Sequence, residues 1–257
     1  MDGILNIKNV SLTYQSDTQE TQAIKNLNLT VNKGEFISII GPSGCGKTSI
    51  LSLISGLIKP TNGEIFINGE KVIKPHKSIG YMLQRDELFP WRTIEKNAIL
   101  PLEIKKVKEN KYKAFVKNLL EKYGLKDFIN SYPSEISGGM RQRVALIRTL
   151  SSNPDLLLLD EPFSALDYQT RLSVCDDVYK IITEERKTAI LVTHDISEAL
   201  SMSDRVIVLT KRPATILNEH IYNYDKKILP LKRREDKNFG KEFEILWSEL
   251  NDGKKEY

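Results

Sequence analysis

The chain has 257 residues and a mass of 29.4 kDa, enough for one sizeable core with an inserted subdomain. Its 40% hydrophobic and 28% charged residues are ordinary for a globular protein, and a net charge of +4 at this length does not point to nucleic acid. Cys45 and Cys175 lie far apart with no paired spacing, which argues against a disulfide framework or a metal cluster, and no apolar run approaches the ~20 residues that span a bilayer.

The opening Met1-Asp2-Gly3-Ile4 lacks the charged and apolar regions of a signal peptide. A cytosolic protein is therefore expected, with any membrane association made through a partner. Ile4 to Val10 and Leu27 to Val31 read as strands, the second alternating cleanly between apolar and polar residues. Tyr14 and the polar stretch Gln15 to Gln22 lie between them. An aromatic just after a strand and upstream of a glycine loop suits stacking on an adenine ring; a half-buried tyrosine at a sheet edge fits the same pattern.

Glu35-Phe36-Ile37-Ser38-Ile39-Ile40 is nearly all apolar, as a strand buried on both faces of a parallel sheet requires. Gly41-Pro42-Ser43-Gly44-Cys45-Gly46-Lys47-Thr48 follows, and Ser49 to Ile54 continues with apolar residues at helical spacing. Strand, glycine loop and helix together are the context of a phosphate-binding P-loop. Its glycines let consecutive N–H groups wrap a phosphate at the positive end of the helix. Lys47 would reach the outer phosphates and the Thr48 hydroxyl would hold Mg²⁺. Cys45 reads as a small residue that fits the loop. Pro60-Thr61-Asn62-Gly63 is a turn, and Glu64 to Val72 reads as a hairpin closed by Asn68-Gly69, so an antiparallel sheet is expected beside the loop.

Ile79 to Leu83 is a further strand ending at Gln84. The mixed charged and aromatic run Arg85 to Trp91 leads into a mainly helical segment, where Tyr112, Phe115, Val116, Leu119, Leu120 and Tyr123 form one apolar stripe. Ser137-Gly138-Gly139 opens a helix at Met140 and exposes backbone N–H groups at its positive end, a second candidate anion site. Leu156-Leu157-Leu158-Leu159 reads as a buried central strand with Asp160 and Glu161 at its C-terminal end, where open α/β sheets bind ligands. Asp160 can then hold Mg²⁺ and Glu161 can polarise a water. Ser164 to Asp167 precedes a helix from about Gln169. Thr188 to Thr193 is a strand ending at His194, a candidate γ-phosphate sensor, whereas His76 and His220 lack such a context. Arg205 to Leu209 is the last clear core strand. Beyond Pro213 the pattern weakens: Lys232-Arg233-Arg234 reads as a solvated basic face, and Phe239 to Leu250 as one amphipathic helix with Phe243, Leu246, Trp247 and Leu250 on one side.

Taken together, these residues resemble the ATP-binding subunits of ABC transporters, from about Ile4 to about Ala214. Tyr14 is similar to the adenine-stacking aromatic, Gly41 to Thr48 to the Walker A loop, Gln84 to the Q-loop glutamine and Ile136-Ser137-Gly138-Gly139-Met140 to the signature. Leu156 to Glu161 resembles Walker B, Ser164 to Asp167 the D-loop and His194 the switch histidine. The signature departs in its initial Ile and in Met140, where Gln is commonest, with the Ser-Gly-Gly core intact. The resemblance implies a P-loop NTPase α/β core with a mixed sheet, an antiparallel β-subdomain and an inserted helical subdomain. It gives an ATP-binding domain over residues 4–235, with the helical subdomain at about 85–150, and a short helical tail at 236–257. The cofactors implied are ATP and Mg²⁺. Tyr14, Gly41, Pro42, Ser43, Gly44, Cys45, Gly46, Lys47, Thr48 and Ser49 would bind nucleotide in one copy, and Ser137, Gly138 and Gly139 in a second copy or close paralogue arranged head to tail. Thr48, Gln84 and Asp160 would serve the metal; Glu161, His194, Gln84 and Lys47 would carry catalysis.

Gln84-Arg85-Asp86-Glu87-Leu88-Phe89-Pro90-Trp91-Arg92-Thr93 resembles importers of the nitrate, sulfonate and taurine type, where this region faces a permease. Ala165 to Arg171 and Arg212-Pro213 point the same way; the group also includes pyrimidine-precursor and bicarbonate systems, which leaves the substrate open. The implied partners are transmembrane permease subunits and an extracytoplasmic solute-binding protein, on the inner face of the cell membrane. Packing inside the helical subdomain is the other use for Phe89 and Trp91. Two further functions compete, a soluble ABC ATPase of the iron–sulfur assembly type and a DNA-repair or ribosomal factor. Only 90 residues without heptads separate Lys47 from Ser137, too few for the long coiled coils of DNA-repair members, and ribosomal members usually carry two such units.

Overall fold

The computed structural model describes residues 3–16, 19–107 and 110–252. In chain order the strands are β1 (Leu5–Gln15), β2 (Glu20–Val31), β3 (Phe36–Ile40), β4 (Asn62–Ile67), β5 (Glu70–Lys71), β6 (Ile79–Met82), β7 (Leu156–Asp160), β8 (Thr188–Val192), β9 (Arg205–Leu209) and β10 (Ile216–Ile221). The helices are α1 (Lys47–Ser55), α2 (Ile94–Ala98), α3 (Leu100–Ile104), α4 (Asn110–Lys122), α5 (Gly138–Ser151), α6 (Tyr168–Glu184), α7 (Ile196–Met202), α8 (Pro230–Arg233) and α9 (Phe239–Asp252).

Every residue of β3, β7 and β8 is buried, which is why these strands read as nearly unbroken apolar runs. They form the middle of a six-stranded sheet ordered β10-β9-β3-β8-β7-β6. Five strands are parallel and β10 runs antiparallel to β9, giving the expected mixed sheet. Phe36, Leu157, Leu159, Ala189 and Leu191 face a core shared with α4, α5 and α6. The alternate residues Ile37, Ile39, Leu156, Leu158, Ile190 and Val192 face a second core with α1 and the antiparallel sheet. The stripe on α4 enters the first core through Val116, Leu119, Leu120 and Tyr123.

The antiparallel sheet is ordered β2-β1-β4-β5. Its β4–β5 hairpin closes through Asn68 and Gly69 with φ of 50° and 79°, as a primed two-residue turn demands. β1 and β2 run well past the strands legible in the sequence, into the polar stretch Gln15 to Gln22. Register shifts between Ile7 and Val10, Val10 and Leu12, and Leu12 and Thr13 break the alternation that marks a strand.

Of the basic run Lys232-Arg233-Arg234 only Lys232 is solvated as expected; Arg234 is partly buried and Arg233 is buried. Arg233 is 2% exposed, and its guanidinium lies 4.5 Å from the Tyr179 ring centre and 4.9 Å from that of Tyr224. It donates to the carbonyls of Ile228 (2.9 Å), Ser201 (3.0 Å) and Asp225 (3.3 Å) and to the Tyr179 hydroxyl. A fork of donors that satisfies three carbonyls between two aromatic faces removes the usual reason for arginine to stay in water. Arg233→Ala should cost about 3 kcal/mol, because buried carbonyls lose their partners, lowering Tm by roughly 6–12 °C at this chain length. Thermal denaturation checks this.

α9 packs Leu246 against Ala199, Leu200, Val206 and Val208, with Phe243 and Leu250 half-buried and Trp247 exposed.

Candidate functional site

Chain direction brings the C-terminal ends of β3, β7 and β8 to one edge, and the residues immediately after each strand meet there. After β3 the backbone turns sharply. Gly44 (φ 72°) and Gly46 (φ 123°) adopt conformations that side-chain-bearing residues rarely reach. α1 starts at Lys47, so its free N–H groups point into a cavity of about 540 Å³. Ser43, Gly44 and the residues from Gly46 to Ser49 line this cavity, joined from elsewhere by Glu161, His194 and Arg212. Lys47 is buried, its Nζ donating to the carbonyls of Gly41 (2.8 Å) and Pro42 (3.1 Å). Cys45 is buried with its Sγ turned toward Gly41, and burial pushes its thiol up. Its side chain packs inside the loop.

β7 delivers Asp160 beside α1. The Thr48 hydroxyl donates to Asp160 Oδ1 at 3.3 Å, and the Tyr81 hydroxyl donates to Oδ2 at 3.2 Å. Burial raises the Asp160 carboxyl above its ordinary range. Burial, reinforced by Asp160, also raises the Tyr81 phenol, so Tyr81 remains a donor. The sequence placed Tyr81 in a strand and gave no sign of this contact. A hydroxyl and a carboxylate oxygen side by side are hard donors of the kind Mg²⁺ takes.

Glu161 leaves the strand in the left-handed region (φ 46°), rare for a residue with a side chain, and its N–H is fixed on Val192 O at 2.8 Å. Such backbone conformations concentrate at functional sites. Glu161 Oε2 lies 3.1 Å from His194 Nδ1 and 3.4 Å from Gln84 Nε2. Gln84 Nε2 also reaches Ser164 Oγ at 3.3 Å, and Ser164 Oγ donates to Glu161 O at 2.9 Å. Gln84 therefore stands with Glu161 and Ser164 rather than with Thr48 and Asp160. Tyr14, at the far end of β1, is half exposed and its hydroxyl lies 2.9 Å from Ser49 Oγ. Arg212 donates to Gly44 O at 2.7 Å, so the β9–β10 connection contributes a cation to the cavity. The sequence located this arginine after a strand but could not show which loop it would meet.

Ser137, Gly138 and Gly139 do not line the cavity. Ser137 is exposed and caps α5, accepting from Met140 N at 3.3 Å. Gly139 must be glycine because a Cβ there would sit 2.8 Å from Val174 Cγ2, where α5 crosses α6.

Behind His194, Glu198 is buried and accepts from the Thr193 hydroxyl at 2.6 Å. Burial, with the nearby Asp195 charge, pushes its carboxyl up to about 7 against the opposing effects of Thr193, Arg171 and His194. Raised in the folded state, this group favours folding most at low pH, and its contribution falls as pH rises from about 4.5 to about 7. Glu198→Gln should therefore gain up to about 3 kcal/mol over wild type at pH 8 and none near pH 4. Chemical denaturation across that range checks the sign.

The Arg85 to Trp91 run ends in an exposed aromatic pair. Trp91 is 72% exposed and stacks on Phe89 with ring centres 5.0 Å apart. Packing inside the helical region is thus excluded for Trp91. The fully buried Asn97 pins this loop, accepting from Phe89 N (2.8 Å) and donating to the carbonyls of Phe89, Arg92 and Thr93. A lone asparagine in a short helix carries no sequence signal of such burial.

The family model described as ABC transporter matches residues 24–164. An uncharacterised ABC transporter ATP-binding protein of Bacillus subtilis is 47% identical over 96% of this chain and 95% of its own length. An aliphatic sulfonates import ATP-binding protein of Bacillus cereus is 43% identical over 82% of this chain and 83% of its own. A solved dimeric ATP-binding cassette, MJ0796, bound to ADP and Pi in a post-hydrolysis state, aligns with a TM-score of 0.71 and 34% identity, over 86% of this chain and all of that one.

Proposed function

The chain belongs to the ABC transporter family and is an ATP-hydrolysing subunit of the importer kind; from that premise we propose that two copies, joined head to tail, drive uptake of a small solute of the sulfonate, taurine or nitrate type through a separate permease. The observation that carries the pairing is the separation of the two anion sites. Lys47, Asp160, Glu161 and His194 converge on one cavity or its edge, while Ser137 to Gly139 present a helix N-terminus elsewhere on the surface. One copy thus supplies the loop, and the exposed end of α5 from a second copy closes over the nucleotide. ATP supplies the differential affinity that moves the population toward the closed pair.

Hydrolysis transfers the γ-phosphoryl group to water. Lys47 and the α1 N-terminus stabilise charge on the phosphates, and Glu161 takes the proton from the attacking water. His194 and Gln84, both on Glu161 here, orient that water and the γ-phosphate. Thr48 and Asp160 would hold Mg²⁺, and Gln84, here on Glu161 and Ser164, is the further residue proposed to serve it. When bound, the ion neutralises developing phosphate charge. Tyr14 would lie against the adenine, held by Ser49.

No helix among the described residues is long and apolar enough to cross a membrane. The importer relatives support the proposed location, the inner face of the membrane through the permease, with a solute-binding protein outside. The Phe89–Trp91 pair is the proposed docking point. Trp91→Ala should leave basal ATPase activity and Tm nearly unchanged, because an exposed side chain contributes little to folding, yet reduce co-purification of the permease by at least about ten-fold, as loss of an aromatic anchor does. Undiminished co-purification would remove Trp91 from the docking surface. The iron–sulfur assembly reading predicts no multi-span membrane protein in the purified complex at all.

A further inference from the structure

We infer that Arg171 is a positioning residue for the hydrolytic step, tying the loop after Glu161 to the loop that carries His194; the inference rests on the role proposed above for His194. Arg171, in the first turn of α6, donates through Nη2 to Leu166 O at 3.0 Å, at the end of the Ser164–Asp167 loop. Its other edges face the His194 loop: Nη1 lies 3.6 Å from Asp195 Oδ2 and Nε 3.9 Å from Glu198 Oε1. Glu198 is buried, so its charge is costly unless a cation stands close. Glu198 in turn fixes the Thr193 hydroxyl at 2.6 Å, and that hydroxyl accepts from Asp195 N at 3.1 Å. The residues on both sides of His194 are thereby held, with its Nδ1 aimed at Glu161 Oε2.

The planar guanidinium hydrogen-bonds one loop through Nη2 while its charge faces Asp195 and Glu198 in ion pairs, with Nε making no hydrogen bond; an ammonium cannot present a donor and a charge in the same geometry. The Leu166 side chain lies close to Gly138, leaving 3.1 Å between its Cδ2 and where a Cβ on that glycine would stand. Arg171 touches none of the reacting atoms. Its effect passes through the placement of His194.

The test is a double-variant cycle on the full chain, with ATPase kinetics and nucleotide affinity measured for Arg171→Met, Arg171→Lys, His194→Ala and the Arg171→Met/His194→Ala pair. Arg171→Met should lower kcat about ten-fold, the scale seen when a group orienting a functional side chain is removed, with KM and ATP affinity changed less than about two-fold. Arg171→Lys should recover part of the loss, and Arg171→Met should cost nothing further once His194 is Ala. Losses that multiply in the pair overturn the inference, as does an unchanged kcat with only a lower Tm. If Arg171→Met fails to fold, Thr193→Val takes its place in the same cycle with the same expected outcomes, since it cuts the link beside His194. A silent His194→Ala overturns the role of His194 itself, whereas a costly His194→Ala with a silent Arg171→Met overturns only the link.

Discussion

Glu161→Gln is expected to lower ATP turnover by roughly two to four orders of magnitude, the range general-base removal produces, while leaving MgATP binding in place. Gln keeps the size of Glu161 and can still meet His194 and Gln84, which lie 3.1 and 3.4 Å from the carboxylate. It cannot accept the proton of the attacking water. The phosphate contacts from the glycine loop and Lys47 are untouched, so nucleotide affinity stays within about two-fold of wild type. Single-turnover hydrolysis with radiolabelled ATP separates the two quantities. Turnover near the wild-type rate would mean that another group activates the water.

The second large effect is expected at a residue outside the cavity. Ser137→Glu should reduce turnover at least about a hundred-fold without weakening ATP binding to the single chain. Ser137 is exposed and its side chain caps Met140 N, so removing it costs folding about 1 kcal/mol, and an acid at a helix N-terminus offsets part of that. In the proposed pair, however, the new carboxylate would meet the triphosphate of the other copy. Two close anions in a site of low dielectric repel by several kcal/mol, enough to keep the faces apart. If Ser137→Glu hydrolyses ATP normally, the signature helix does not close the site.

The sequence made the central sheet legible because β3, β7 and β8 are buried on both faces and carry few polar residues ahead of those that act. The positions of Asp160, Glu161 and His194 follow from the same fact, since each comes at or just after a strand end at one edge of the sheet, while Lys47 and Thr48 were legible from the glycine loop that separates β3 from α1. What the sequence did not reveal depends on side chains meeting across elements. Tyr81 on Asp160, Arg212 on Gly44, Asn97 beneath the Phe89–Trp91 loop and Arg171 between two loops each depend on contacts that no local pattern announces. Arg233 misled because a basic triplet ordinarily stays in water, and only the Tyr179 and Tyr224 rings together with three carbonyls make a dry place for it. The left-handed turn at Glu161 was equally hidden, because no glycine marks it.

The central claim is that each copy holds half of the ATP site. Its most direct test is the solution mass of the Glu161→Gln chain, by light scattering after size exclusion, with and without MgATP. The expected result is the 29.4 kDa chain alone without nucleotide and about twice that mass with MgATP, where blocked hydrolysis traps the closed pair. Adding Ser137→Glu to the same chain should return it to the single mass with one ATP still bound. A chain that stays at 29.4 kDa with ATP bound, or a double variant that still pairs, would contradict that claim.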